Sequence, residues 1–78
     1  MDISIREHII NNFKGDDYNA LKQAIDESVT SQDEVVLPGL GVFLELIWEN
    51  ADMELKDQLI EIIKKRVSVK AEKENTNN

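Results

Sequence analysis

The stretch Leu37–Asn50 reads LPGLGVFLELIWEN and decides the fold. It holds the only proline of the chain, two of its three glycines and its only tryptophan. From Leu40 to Trp48, only Glu45 interrupts the apolar side chains. Glu49 lies four residues later, so the two glutamates form a narrow polar edge on one side of the helix. A helix that is apolar around most of its circumference is one that other helices surround. We therefore predict a central apolar helix after an LPGLG turn, because proline is tolerated at a helix start and glycine permits unusual backbone angles.

Three other segments have the period of amphipathic helices. Their apolar residues recur three or four positions apart: Ile5, Ile9 and Phe13 in the first, Tyr18, Leu21, Ile25 and Val29 in the second, and Leu55, Leu59, Ile62, Ile63 and Val67 in the third. The second should end near Ser31–Gln32. Between it and the central helix, Glu34–Leu37 predicts an extended connector, because a residue before proline is pushed out of the helical region.

Residues that start and stop helices flank these segments. Ser4 and Glu7 fit a capping box, in which both side chains satisfy free backbone N–H groups. Gly15 suits the end of the first helix, where positive φ is common. Asp16–Asp17 offers the next N-cap, and Asn50–Asp52 breaks the central helix and caps the last one.

The predicted fold is all-α, a small bundle of about four short helices. With 78 residues, we expect one helical domain over residues 1–67. Residues 68–78 are polar and predict a disordered tail. Because Gly39 enters the buried helix, we expect a β-branched residue there to disrupt the fold more than the same change at Gly15.

The charge is strongly acidic and unevenly distributed. Nine basic residues oppose sixteen acidic ones, for a net charge of -7. This balance argues against nonspecific nucleic-acid binding, which needs cations to neutralise phosphates. Met1–Leu55 has three basic and twelve acidic residues, whereas Lys56–Asn78 has six basic and four acidic. An anionic partner would therefore meet the C-terminal third, where the candidate contacts are Lys64, Lys65, Arg66, Lys70 and Lys73.

The residues needed for an enzyme are missing from the sequence. His8 is the only histidine and there is no cysteine, so no metal site or nucleophile–base pair is predicted. The adjacent acids Asp16–Asp17, Asp26–Glu27 and Asp33–Glu34 point in different directions on a helix. Gly39–Gly41 lacks the rest of a phosphate-binding loop. We expect no catalytic residue, cofactor, metal or small-molecule substrate.

A protein partner suits the sequence better than a membrane does. No apolar run approaches the roughly 20 residues of a membrane span, and MDISIREHII lacks the basic start of a secretory signal. We therefore expect an intracellular protein. The apolar central helix offers a surface for self-association or for another protein, with the candidate residues Leu40, Phe43, Leu44, Ile47 and Trp48.

A family resemblance rests on three features of the sequence. They are the opening MDISIR, Gly15, and the segment Leu37–Val42 followed by Glu45, Ile47, Trp48 and Asn50. The chain resembles the small, acid-soluble spore protein I family of endospore-forming bacteria from about Met1 to Arg66. The resemblance implies a protein made in the developing forespore, packaged in the spore core and without enzymatic activity. We expect it to act by helical contact with itself or another spore protein.

Two alternatives involve DNA. One is a DNA-associated spore protein that uses the C-terminal basic residues. The other follows from DEVVLPGLGVF, which looks like the segment of histone-like HU proteins that leaves a helical hairpin and enters a sheet. The next residues, ELIWENADMELKDQL, have a helical period instead of strand alternation, and the acidic charge opposes DNA. We do not expect DNA as the partner.

Overall fold

The computed structural model describes the backbone of residues 4–75 and the side chains of residues 4–71. Within this range the chain forms four α-helices and a short 3-10 helix, and no β-strand. The prediction of an all-α fold is therefore confirmed. The helices are α1 (Ile5–Asn12), α2 (Tyr18–Ser31), α3 (Leu37–Asn50) and α4 (Met53–Asn75), and the 3-10 helix Glu34–Val36 lies between α2 and α3.

The predicted N-caps of α1, α2 and α4 and the predicted ends of α1 and α2 are confirmed. Ser4, Asp17 and Asp52 each accept a hydrogen bond, through a side-chain oxygen, from the backbone N–H three residues later, at 3.1, 2.9 and 2.9 Å. Each bond satisfies an N–H that has no partner within its helix. Gly15 follows α1 with a φ of 89°, and Gln32 ends α2 in the left-handed region with a φ of 55°.

The connector before α3 is helical, so the predicted extended connector is wrong. Leu37 has φ and ψ of -60° and -41°, and its N–H donates to the carbonyl of Glu34. The LPGLG residues lie inside α3 instead of forming a turn ahead of it. Pro38 is tolerated as the second helical residue because an N–H there has no intrahelical acceptor. The strand that an HU-like sheet would need after Leu37 does not form.

The last helix continues beyond the predicted domain boundary. Residues 68–75, for which the composition predicts disorder, belong to α4, and residues 76–78 lie outside the described residues. Alanine, lysine and glutamate in this segment are strong helix formers. The side chains of residues 61–71 are all exposed. The polar composition therefore correctly indicates the exposure of the side chains at residues 68–71, but it does not prevent a helix.

The two glycines compared in the sequence have the opposite roles from those expected. Gly15 has positive φ, which strains any residue with a Cβ. Gly39 lies within α3, and a Cβ built there meets no atom within 4 Å. We therefore correct the expectation: substitution at Gly15 is the more damaging one, because its backbone conformation matters more than the position of Gly39 in an apolar helix.

The chain divides into two compact units, Met1–Ile47 and Trp48–Asn78. In the first unit Val42 is 6 % exposed and is the most buried side chain in residues 4–71. In the same unit, one face of α2 is half-buried, with Leu21, Ala24, Ile25 and Ser28. So small a core is expected for a short chain. A single domain over residues 1–67 stays a prediction.

Candidate functional site

The five predicted interaction residues occupy α3 but differ in accessibility. Leu40 and Phe43 are half-buried. Leu44, Ile47 and Trp48 are 43 %, 43 % and 37 % exposed. The five positions follow the i, i+3, i+4, i+7, i+8 spacing of one helix face, so they lie on the same broad side of α3. On that side the structure covers the first two residues more than the last three, and their role as an interaction surface stays a prediction.

Phe43 packs within the chain. Its ring contacts that of Phe13 edge-on, with the ring centres 4.9 Å apart and the planes inclined by 63°. Such aromatic pairs contribute about 0.5–1.5 kcal/mol beyond their buried area. The pair joins the end of α1 to the middle of α3, two segments that lie far apart in the sequence. We conclude that Phe43 holds α1 on α3; a contact between Phe43 and a partner stays a prediction.

Three of the exposed apolar side chains of α3 form a row. Leu37, Leu44 and Trp48 lie seven and four residues apart, which places them on one side of a helix. Gly41 lies on the same side and leaves the space between Leu37 and Leu44 uncovered. We call Leu37, Leu44 and Trp48 the α3 row. Leu37 is 58 % exposed and was missed from the sequence, because the proline after it argued against a helical residue.

The ring of Trp48 has a cation beside it within the second unit. The ammonium nitrogen of Lys56 lies 5.3 Å from the centre of the indole ring, a distance at which a cation is attracted to an aromatic face. Lys56 is half-buried. Its aliphatic part can therefore cover apolar surface while the charged end stays near water. The contact holds the indole ring and the ammonium group together within the second unit.

An ion pair joins α1 to α3 in the first unit. Arg6 donates from Nε and Nη2 to the two carboxylate oxygens of Glu45, at 2.7 and 2.8 Å. This hydrogen bond, with the charge of Arg6, lowers the pKa of the Glu45 carboxyl. Both side chains remain exposed, so solvent screens the pair. No sequence signal linked these residues, because they are 39 positions apart.

The basic residues of the C-terminal third are divided between two surfaces of α4. Lys64 and Lys65 line one shallow depression, and Arg66 and Lys70 line another. Each residue of a helix is turned by about 100° from the one before it, so the run of three cations in the sequence is spread around α4 and does not become one patch. Lys73 belongs to α4, but its side chain lies outside the described residues.

Neither a metal-binding cluster nor a membrane-spanning helix occurs in the described part of the chain. Among the described side chains, no three histidine or acidic residues lie together where they could hold a metal ion. None of the helices in residues 4–75 combines the length and the apolar composition needed to cross a bilayer.

Comparison with known proteins gives consistent matches. The family model described as small, acid-soluble spore protein I matches residues 3–67. Curated proteins with that description include one from Bacillus cereus, 35 % identical over 63 residues, which are 81 % of this chain and 91 % of the relative. One from Bacillus licheniformis is 33 % identical over 70 residues, 90 % and 100 % of the two chains. One from Bacillus anthracis is 35 % identical over 63 residues, 81 % and 91 %. No solved structure matches the chain.

Proposed function

The chain belongs to the small, acid-soluble spore protein I family, and we propose that it is a non-enzymatic protein of the spore core that acts by binding a protein partner through the α3 row. The partner is a second copy or another spore protein. In this proposal the chain is made in the forespore during sporulation and stays in that intracellular compartment.

The observation that carries the proposal is the alignment of exposed apolar groups on α3. Single exposed apolar residues are ordinary, but a row of them on one helix is the surface that helix-in-groove contacts use. Trp48 is the last residue of the row, and tryptophan is enriched among the residues that contribute most to binding energy. Ile47 lies next to Trp48 in the sequence and is also exposed, so it can widen the contact.

A role without catalysis agrees with the residues available. The whole sequence has no cysteine and one histidine, and His8 is exposed on α1. General acid–base and nucleophilic catalysis rely on groups held in defined positions by their surroundings. The exposed surface of α1 does not provide such surroundings. The composition therefore supports a binding role.

The alternative is DNA association through the basic residues of α4. A protein that grips the phosphate backbone places its cations together against it. The division of Lys64 and Lys65 from Arg66 and Lys70 favours the protein partner over DNA. The alternative remains open to a direct test, because these four cations are exposed.

The test is site-specific photo-crosslinking in spores. A photoreactive amino acid replaces Leu44 in one strain and Leu46 in a matched control strain. Both side chains are about equally exposed, 43 % and 40 %, but they are turned by about 200° from each other on α3. We expect a protein adduct from position 44 and little from position 46, with mass spectrometry identifying the partner.

Three results would count against the proposal. Equal adducts from both positions would mean that the row is not a specific surface, and no adduct from either would remove the partner. The third is a DNA effect, measured by titrating the isotope-labelled protein with a short duplex. Salt-reversible amide shifts confined to residues 64–73 would favour the DNA alternative, since phosphate contacts weaken steeply with salt.

A further inference from the structure

The C-terminal half of α4 has cations among its exposed apolar side chains. One shallow depression there is lined by Ala71 and by the α4 face, the name we give to Ile62, Ile63, Arg66, Val67 and Lys70. All of these side chains are exposed, and the isoleucines and the valine are 61 %, 43 % and 60 % exposed. Spacings of three and four residues place them on one side of the helix. Arg66 and Lys70 therefore lie within an apolar surface and not at its edge.

The basic residues of α4 differ in whether an acidic residue lies beside them. Lys64 and Lys65 are three and four residues after Glu61, a spacing at which helix side chains meet, and they line a depression with it. Arg66 has no acidic residue three or four positions away on either side, and four positions after it comes a second cation, Lys70. Like charges at this spacing destabilise a helix. The charge of Arg66 therefore lacks the local compensation that Lys64 and Lys65 have.

Arg66 is the cation of the α4 face that most needs an anion from outside the helix. Lys70 has Glu74 four residues later, although that side chain lies outside the described residues. A guanidinium binds a carboxylate with two parallel hydrogen bonds, and arginine is favoured for ion pairs at interfaces. The apolar neighbours of Arg66 gain from contact with other apolar groups. A partner that suits the α4 face must therefore bring carboxylates and apolar side chains together.

We propose that the α4 face binds an acidic amphipathic helix of another protein. Carboxylates four residues apart on that helix are separated by about 6 Å along its axis, the same rise that separates Arg66 from Lys70. Each cation then meets one carboxylate, while the isoleucines and the valine contact apolar side chains beside those carboxylates, as in other complexes of a helix in a groove. The apolar contact excludes water, which strengthens the charge pairs.

Other occupants match the α4 face less well. The α4 face of a second copy contains no acidic residue, so two such faces would bring like charges together. The phosphate backbone of DNA would meet the cations but leave Ile62, Ile63 and Val67 uncovered. An anionic bilayer offers both charge and apolar chains. The net charge of -7 opposes its approach, however, and a helix at a bilayer surface has its cations on the polar side.

The test is a titration of the isotope-labelled full chain with synthetic peptides, followed by amide NMR. The glutamate probe is a peptide of about 20 residues, long enough to form a helix alone, with leucines along one side and glutamates four apart beside them. A glutamine probe and a lysine probe have the same leucines. In about 0.15 M salt, which screens distant charges, we expect the glutamate probe to shift the amides of residues 62–71. The glutamine probe should bind about tenfold or more weakly.

Charge reversal in the protein shows whether the pairing is direct. The double variant R66E/K70E should lose the glutamate probe by about tenfold or more in affinity and bind the lysine probe instead. The matched control K64E/K65E makes the same change of charge on the other depression of α4 and should keep most of the binding. Circular dichroism checks that both variants keep their helices, and binding of the lysine probe shows independently that R66E/K70E is folded.

Several results would overturn the proposal. They are no shift with the glutamate probe, equal binding of the glutamate and glutamine probes, and an equal loss in both double variants. Tighter binding of a short DNA duplex or of phosphatidylglycerol vesicles at residues 62–71 would assign the α4 face to phosphate. Self-association that R66E/K70E abolishes would assign it to a second copy.

The proposed function is tested separately. Shifts from the glutamate probe at Leu37, Leu44 and Trp48, without shifts at residues 62–71, would overturn binding at the α4 face and support the α3 row. Failure of every probe would overturn binding at the α4 face and leave the crosslinking comparison of Leu44 with Leu46 as it stands.

Discussion

The two units of the chain differ in the sequence range of the contacts found inside each of them. In Met1–Ile47, the Phe13–Phe43 ring pair and the Arg6–Glu45 ion pair join helices that are far apart in the sequence. In Trp48–Asn78, the contacts described are local, such as Lys56 over the ring of Trp48. The first unit therefore depends on tertiary packing, whereas α4 depends more on its own helix propensity and capping.

The largest effect is expected from Phe43→Ala. It removes a half-buried ring and the edge contact with Phe13, and should lower the free energy of unfolding of the first unit by about 2–3 kcal/mol. Urea unfolding followed by circular dichroism measures the loss. Leu46→Ala truncates a side chain of the same helix that is 40 % exposed, so it is the control and should cost less. Equal losses would contradict the assignment of Phe43 to the core.

Glycine substitutions sharpen the comparison between a turn and a helix within the first unit. Gly15→Ala forces a Cβ into a positive-φ conformation and should cost about 1–2 kcal/mol. Gly41→Ala, inside α3 with open space around the new Cβ, should stabilise the protein by about 0.5–1 kcal/mol. Thermal unfolding of both variants measures the difference. A destabilised Gly41→Ala protein would argue against α3 starting at Leu37.

Removal of a cap tests the local character of the second unit. Asp52→Ala deletes the hydrogen bond to the N–H of Leu55 and should cost about 1 kcal/mol. Hydrogen exchange should show the loss at the first turn of α4, with the amides of α1 unchanged. Asp52→Asn, which keeps an acceptor oxygen, should lose much less. Uniform loss of protection in both units would mean that α4 is not stabilised locally.

The smallest effect concerns the Arg6–Glu45 pair. Because the folded-state pKa of Glu45 is lowered, its contribution is present above the ordinary glutamate pKa and is lost as the pH falls through the lowered value. Arg6→Gln should therefore remove a small part of the stability at neutral pH and flatten this acid dependence. Lys14→Gln removes the same charge as a control. An unchanged pH profile in Arg6→Gln would show that the pair contributes nothing.

Much of the local structure follows from short-range patterns. Ser4, Asp17 and Asp52 cap helices because each side chain needs only an N–H three residues away, and that geometry does not depend on the rest of the fold. Gly15 ends the first helical segment for a similarly local reason. The motif in Leu37–Asn50 is also distinctive enough to indicate the family, because its residue types and their spacing are uncommon in combination.

The errors came from local preferences that their surroundings overrode. Proline disfavours a helical residue before it, yet Leu37 is helical because the 3-10 helix leads directly into α3. The polar end of the chain predicts disorder, although strong helix formers extend α4 there. The polarity of a segment indicates whether its side chains are buried, but it only indirectly indicates the conformation of its backbone.

By itself, the sequence determined the helical class, the caps, the acidic charge and the family, because each depends on neighbouring residues or on the motif as a whole. Only the tertiary structure decided which side of α3 is covered and which is open. The sequence could not show this, because a helix apolar on most sides has no preferred inner face until its partners are in place. Phe13 and Arg6 cover one side of α3 by contacting residues that are about 30 to 40 positions away in the sequence.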